Sequence, residues 1–305
     1  MTGTPAGPGF GYPHPMRVRG VAAAWALAIG LGGTAAAAGE VPDEPAPQPL
    51  WEVGLAGGAV SVQNYAGAAE RELYWAVTPY VVYRGRYFRA AGRSVRLVLY
   101  ERPRFWTDLS GGGWVPVDAG DNPVRAGMPD LDYTVQAGPR FNYLVRRGPR
   151  GTTILRLAVR GVWSVDGLND ISHRGAIAQP ALRVGVLPEE RDAPMSAAVT
   201  LSSLWGNGEH NGYFYDVPAA YATPQRPAYR SGAGLVWTAV GVTLGWRLTP
   251  DLRLHLSMNL RTLAGSVVED SPLVTDRNTV SVGAGLVWVF LRSERTAVRR
   301  PAEAG

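Results

Sequence analysis

Five residues of the segment Leu252 to Leu260 are apolar in strict alternation: Leu252, Leu254, Leu256, Met258 and Leu260. Between and after them stand Arg253, His255, Ser257, Asn259 and Arg261. Only a β-strand sends alternate side chains to opposite faces, so this segment divides an apolar phase from a polar one. The pattern recurs along the chain. Tyr133 to Arg146 sets Tyr133, Val135, Ala137, Phe141, Tyr143 and Val145 against Thr134, Gln136, Arg140, Asn142 and Arg146. Thr152 to Val165 sets Leu155, Leu157, Val159, Trp163 and Val165 against Arg156, Arg160 and Ser164. In Gly234 to Leu248 the apolar phase is Val236, Val240, Val242, Leu244 and Trp246. No stretch from Trp51 to Phe290 carries a helical period, so an all-β fold is expected.

Two architectures produce such strands. A soluble sandwich points the apolar face at a shared core. An outer-membrane barrel points it at lipid and lines its lumen with the polar face. Three features favour the barrel. The polar face carries Arg, Asn, Gln and Gly. Trp51, Tyr74, Trp75, Trp114, Trp163, Trp205, Trp246 and Trp288 stand near strand ends, as an interfacial girdle requires. The third is the N-terminus, where Arg17 and Arg19 precede an apolar run from Val21 to Leu31 and a small-residue site at Ala36-Ala37-Ala38. That is the pattern of a secretory signal, with Met16 as its natural start. The expected division is 1–38 extension and signal peptide, 39–49 Pro-rich linker, 50–290 barrel and 291–305 Arg-rich tail.

Twelve strands are expected: 51–62, 74–84, 86–91, 94–101, 104–115, 132–146, 152–165, 176–187, 194–206, 233–248, 251–263 and 277–290. Merging the two shortest with their neighbours gives ten. Short connections at 101–104, 147–151, 187–193 and 249–251 then fall on one side. Long ones at 116–131, 166–175, 206–232 and 264–276 fall on the other, as periplasmic turns and external loops do. The last strand ends at Trp288 and Phe290, an aromatic terminus of the kind read as an assembly signal. The inward-phase arginines Arg140, Arg146, Arg156, Arg160, Arg183, Arg253 and Arg261 either favour anions in a narrow pore or pair with carboxylates such as Glu52 and Asp108 and fill the lumen.

Composition excludes several classes. There is no Cys among the 305 residues, so there is no thiolate nucleophile or thiolate metal site. All 30 basic residues are Arg, which removes a P-loop lysine and Schiff-base chemistry. The net charge of +5 is spread over single arginines rather than a basic run with stacking aromatics, so no nucleic-acid partner is expected. Ser203, His210 and Asp216 lie close in sequence, but no strained nucleophile turn accompanies them. Glu189-Glu190 reads as a solvated turn. No metal-ligand spacing appears, and no cofactor is expected.

Two loops have unusual sequences. One contains Asn122, Pro123 and the run Val124-Arg125-Ala126-Gly127-Met128-Pro129-Asp130-Leu131-Asp132. The other carries Tyr213-Phe214-Tyr215, then Tyr221 and Tyr229. Gly127 and Pro129 suit a tight turn with Asp130 or Asp132 capping nearby amides; the alternative is a binding loop. The aromatic cluster either stacks on sugar or peptide or folds over the barrel mouth. Together with Trp51-Glu52-Val53-Gly54-Leu55, the strand end Pro79 to Gly85 and Ser271-Pro272-Leu273-Val274, these segments resemble the MipA/OmpV family across Trp51 to Phe290. The resemblance implies a barrel in the outer membrane of a Gram-negative cell, surrounded by outer-membrane lipid and without enzymatic activity. It implies a scaffold for peptidoglycan assembly, with a murein synthase and a murein-cleaving lytic transglycosylase as partners. A small-solute channel and a surface adhesin acting through its external loops are the alternatives.

Overall fold

The computed structural model describes residues 49–297, apart from 86–87, 92–93, 121, 149–150, 167–169 and 189–192. The expected signal peptide, most of the expected linker, Glu189-Glu190 and the end of the tail lie outside the described residues.

The strands are β1 (Trp51–Gln63), β2 (Arg71–Arg84), β3 (Phe88–Ala91), β4 (Ser94–Glu101), β5 (Phe105–Trp114), β6 (Tyr133–Gly148), β7 (Gly151–Asp166), β8 (Asp170–Leu187), β9 (Met195–Gly206), β10 (Gly234–Arg247), β11 (Leu252–Thr262) and β12 (Asn278–Arg292). Each pairs antiparallel with the next, and β1 pairs with β12, so twelve strands close into a barrel. Closure satisfies the backbone groups that an open sheet edge would leave bare in lipid. The two short strands stay separate, which settles the count at twelve rather than ten. Both ends of the barrel strands meet at one rim, where Pro49 bridges Thr296. That rim also carries the short turns; the long loops are at the other.

The outer face is apolar. Leu73, Trp75, Val77, Leu155, Leu157, Leu201 and Leu286 are exposed on it. An apolar skin of this extent is stable only against hydrocarbon. Trp51, Tyr83, Phe105, Tyr143, Trp288 and Phe290 ring the short-turn end, and Trp75, Trp163 and Trp205 mark the long-loop end. No helix among the described residues is long and apolar enough to cross a membrane.

Several expectations need correction. Tyr74 and Trp114 are not in the girdle: Tyr74 pairs with the buried Val60, and Trp114 donates its indole N–H to the Asn64 carbonyl at 3.0 Å. The expected loop 166–175 is mostly strand, because β7 reaches Asp166 and β8 begins at Asp170. A register shift between Leu235 and Trp237 turns Val236 inward, 1% exposed, instead of leaving it in the lipid phase. A second shift between Leu144 and Arg146 does the reverse for Arg146, which is exposed at the short-turn end while Leu144 takes the inward place. Arg146 is therefore not a lumenal arginine. β12 continues past Phe290 to Arg292, and the loop after β9 holds a helix, α1 (Gly208–Tyr215).

Candidate functional site

The long loops do not stand up from the barrel. They fold into its mouth and lock together. The lock begins with an apolar seat. Near the long-loop end the inward positions of adjacent strands are Val162, Ile177, Leu204 and Val236, joined by Trp237 and Ala239. Onto this ring pack Tyr65, Ala66 and Ala68 from the loop after β1, Val117 and Leu131 from the loop after β5, Phe214 and Tyr215 from α1, and Leu263 and Val268 from the loop after β11. A second cluster above it joins Met128, Val217 and Leu273.

α1 is set against the wall by its start. Asn207 accepts from the His210 amide at 3.0 Å and from the Ala176 amide at 3.1 Å, capping the helix and tying it to β8. The neighbouring Gly175 has φ +92°, and a Cβ there would lie 2.2 Å from the Asn207 side-chain oxygen. Only glycine permits both the left-handed backbone and the close approach.

Each residue of the Asn122–Asp132 segment has a place in the lid. Asn122 is buried and donates to Glu70 at 3.4 Å. Pro123 opens a 3-10 turn that ends at Arg125. Gly127 takes φ +79°, which lets the chain reverse before Met128 enters the upper cluster. Asp130 accepts from the Ala119 amide at 2.7 Å. The Asp132 amide donates to the Tyr213 hydroxyl at 2.9 Å. Arg125 is the centre: 3% exposed, it donates to the Phe214 carbonyl at 3.1 Å and the Pro129 carbonyl at 3.4 Å. Burial holds its pKa below the ordinary guanidinium value.

From the other side Arg226 donates to the Val124, Ala126 and Tyr221 carbonyls at 2.8, 3.0 and 2.8 Å. Phenols finish the lock. Tyr65 donates to the Leu273 carbonyl at 2.7 Å, Tyr215 to that of Ala66 at 2.8 Å, and Tyr229 to that of Val267 at 2.8 Å. Burial pushes the Tyr65 hydroxyl up to about 12, so it stays a donor at any physiological pH. Phe214 and Tyr215 are buried, so their ring faces are not offered to a sugar or a peptide.

Below the lid the lumen is polar. Arg261 reaches under it, with its guanidinium 4.8 Å from the Trp237 ring and 5.9 Å from the Trp114 ring. Arg140 donates to the buried Asp108 at 2.9 Å, and Asn142 donates to the same carboxylate at 3.3 Å. Arg160 donates to Ser110, Gln136 and Gln179 at 3.0, 3.3 and 3.2 Å, all neutral. Arg156 and Arg183 are buried on the same wall. Glu52 is also buried, and its partner is Arg84, at 3.2 Å, an arginine that sequence reasoning did not single out. Arg253 lies opposite Arg247 across β10 and β11, with His255 exposed to the lumen beside it. Nearer the short turns, Trp106, Leu144 and Ile154 form an apolar patch on the inner wall.

Trp288 and Phe290 project outward at the short-turn end with their rings 5.4 Å apart. Ser203 faces lipid, accepting from the Trp205 indole at 3.0 Å, whereas His210 and Asp216 are inside the lid. The three make no catalytic relay. Among the described residues no group of His, Asp or Glu is placed to hold a metal ion.

Comparison with known proteins adds the following. The profile of a family described as "MltA-interacting protein MipA" matches residues 54–290. No curated protein matches the chain. Solved structures similar to it include the COG4313 outer membrane channel from Pseudomonas putida F1, 13% identical, covering 83% of this chain and 98% of that one with TM-score 0.43. The NanC porin is 9% identical, with 77% and 98% covered and TM-score 0.34. The outer membrane protease OmpT from Escherichia coli is 12% identical, with 79% and 95% covered and TM-score 0.29.

Proposed function

This chain belongs to the MipA family, and from that membership we propose that the barrel is a non-enzymatic scaffold of the outer membrane that gathers murein-processing enzymes at its periplasmic face. In this reading the long loops face outward, and the short turns and both ends of the barrel face the periplasm. The family's description names MltA as an interacting protein; the partner pair we propose, a murein-cleaving lytic transglycosylase and a murein synthase, is the one that the family resemblance implies.

The observation that carries the reading is the locked mouth. Four loops meet inside the barrel through buried aromatics and through Arg125, Arg226 and three tyrosines. A lid so made favours a closed barrel over an open pore. It also withholds the aromatic faces that an adhesin acting through Phe214 and Tyr215 would offer. What remains for partners is the short-turn rim. Arg292 is held there by Asp251 and by the Pro250 carbonyl, and Arg295 follows it. Arg299 and Arg300 lie outside the described residues.

The test is capture of periplasmic proteins on the full-length barrel in detergent. Both murein enzymes are expected in the eluate, with retention weakened by salt. Removing 293–305, which leaves β12 whole, is expected to lower retention and flatten its salt dependence. Recovery of neither enzyme from an extract that contains both would sink the scaffold reading.

A further inference from the structure

The lumen below the lid has two unlike walls. Arg140, Arg156, Arg160 and Arg183 project from β6, β7 and β8, which are adjacent. Their register places them as diagonal neighbours: Arg140 pairs with Ala158, between Arg156 and Arg160, and Arg183 pairs with Ile154, one inward step below Arg156. In a ring of twelve strands β1 stands opposite β7, and β12 opposite β6. The inward positions there include Gly58, Gly283 and Gly285, with Gly58 and Gly285 directly paired. A row of guanidinium groups thus faces a wall whose inward residues are small and uncharged: Ala56, Gly58 and Val60 on β1, and Ser281, Gly283, Gly285 and Val287 on β12. The space between is wet, since the inward His255 on β11 is solvent-exposed.

We propose that this space is a binding chamber for a slender multivalent oxyanion, bearing phosphate or carboxylate groups and entering from the short-turn end. Charge is the first ground. Arg160 is satisfied by a hydroxyl and two amides, which leaves its full positive charge uncompensated, and Arg140 beside it has Asp108. Guanidinium groups fixed by such neighbours are pre-ordered to grip an oxyanion through paired N–H donors. Shape is the second ground. The small residues of the opposite wall leave more room beside the arginines than large ones would. Access is the third. The lid closes the long-loop end, which leaves the other end as the way in. The inference shares the orientation proposed above but not the murein partners, so each stands or falls separately.

Isothermal titration of the full-length protein in detergent micelles tests it, with tripolyphosphate, citrate and sodium chloride compared at equal ionic strength. Saturable binding of tripolyphosphate or citrate that chloride does not reproduce is expected, and the tighter of the two identifies the anion's source as phosphate or carboxylate. Arg160→Gln is expected to weaken that binding about tenfold, the worth of one charge-assisted contact. Gly283→Asp, which sets a carboxylate on the opposite wall, is expected to weaken it as well, in a barrel that still shifts on heating. Should both variants misfold, the comparison with chloride on the unaltered protein decides alone. Heats from both oxyanions no larger than those from chloride would overturn the proposal, as would unchanged affinity in a folded Arg160→Gln.

Discussion

On β7 the inward residue nearest the long loops is Ser164, then Val162, then Arg160; on β8 the sequence runs Ile177, Gln179. On β9, Leu204 is followed inward by Ser202. Within one inward step on three neighbouring strands the lining changes from apolar to polar. The upper lining is covered by buried loops; the lower lining is polar and carries most of the lumenal charge, paired or hydrogen-bonded within the barrel. The difference follows from what each half touches. An inward side chain that meets the lid gains by being apolar, roughly 25 cal/mol for each Å² removed from water. One that meets a wet lumen gains nothing, and polar groups there are hydrated or paired.

The largest effect expected from this contrast is electrical. Replacing 208–231 by a short Gly/Ser turn removes α1 and the Tyr229 segment and so most of the lid. In planar bilayers the intact protein is expected to give no resolvable current, and the shortened one discrete steps with anion selectivity from the arginines below. Steps of the same size from the intact protein would show that the lid does not seal the mouth.

A finer break is Arg125→Ala. It removes the group that joins the 122–132 segment to α1 and leaves the Phe214 carbonyl buried without that donor. Loss of a buried charged hydrogen bond is expected to destabilise the lid by about 2–3 kcal/mol. Hydrogen exchange checks it: the Val217 and Tyr229 amides, which bridge to each other's carbonyls, should exchange faster, while β6 and β7 keep their protection. Equal acceleration in the strands would mean that lid and wall unfold together.

The strands were legible in the sequence because lipid imposes period two over the whole span of the membrane. Where lipid is not the only neighbour the pattern fails, and the failures mark the lid. Val162-Trp163, Leu204-Trp205 and Val236-Trp237 are apolar on both phases, near the long-loop ends of β7, β9 and β10. Those doubled apolar positions were the available signal for a lid seat, and alternation alone assigned Val236 to the wrong face. The two unusual loops were visible as motifs. Their interlock was not, since Arg125 finds Phe214 and Tyr65 finds Leu273 across long stretches of chain that no local pattern encodes. Arg146 was misplaced for the opposite reason: one extra residue between register partners reverses every face beyond it.

Gly175→Ala sharpens the boundary between wall and lid. The variant pays for a left-handed backbone and for a clash with the Asn207 side chain, together about 1–3 kcal/mol. Because the strain falls at the start of α1, exchange at the His210 and Asn211 amides is expected to rise more than that at Val217. A uniform rise along the whole loop would place the boundary elsewhere.

The smallest expected effect is acid sensitivity confined to the lid. His210 is 4% exposed, and burial holds its pKa below the ordinary 6.5. As pH falls below that value the unfolded loop takes up a proton before the folded one does, so the folded lid loses stability on acidification and is unaffected well above it. Asp132 has the opposite sign. Burial first, then Asp166, raises its pKa above 3.8, against Arg174 and the Tyr213 hydroxyl. It therefore takes up its proton first in the folded state and offsets part of the histidine's effect at lower pH. Lid amides are expected to exchange faster at pH about 5.5 than at about 7.5, after correction for intrinsic rates, because protonation of His210 favours the unfolded loop. His210→Gln should flatten the difference, and Asp132→Asn should leave it. An unchanged difference in His210→Gln would place the acid-sensitive group outside the buried part of the lid, with the exposed His173–Glu209 pair the next to replace.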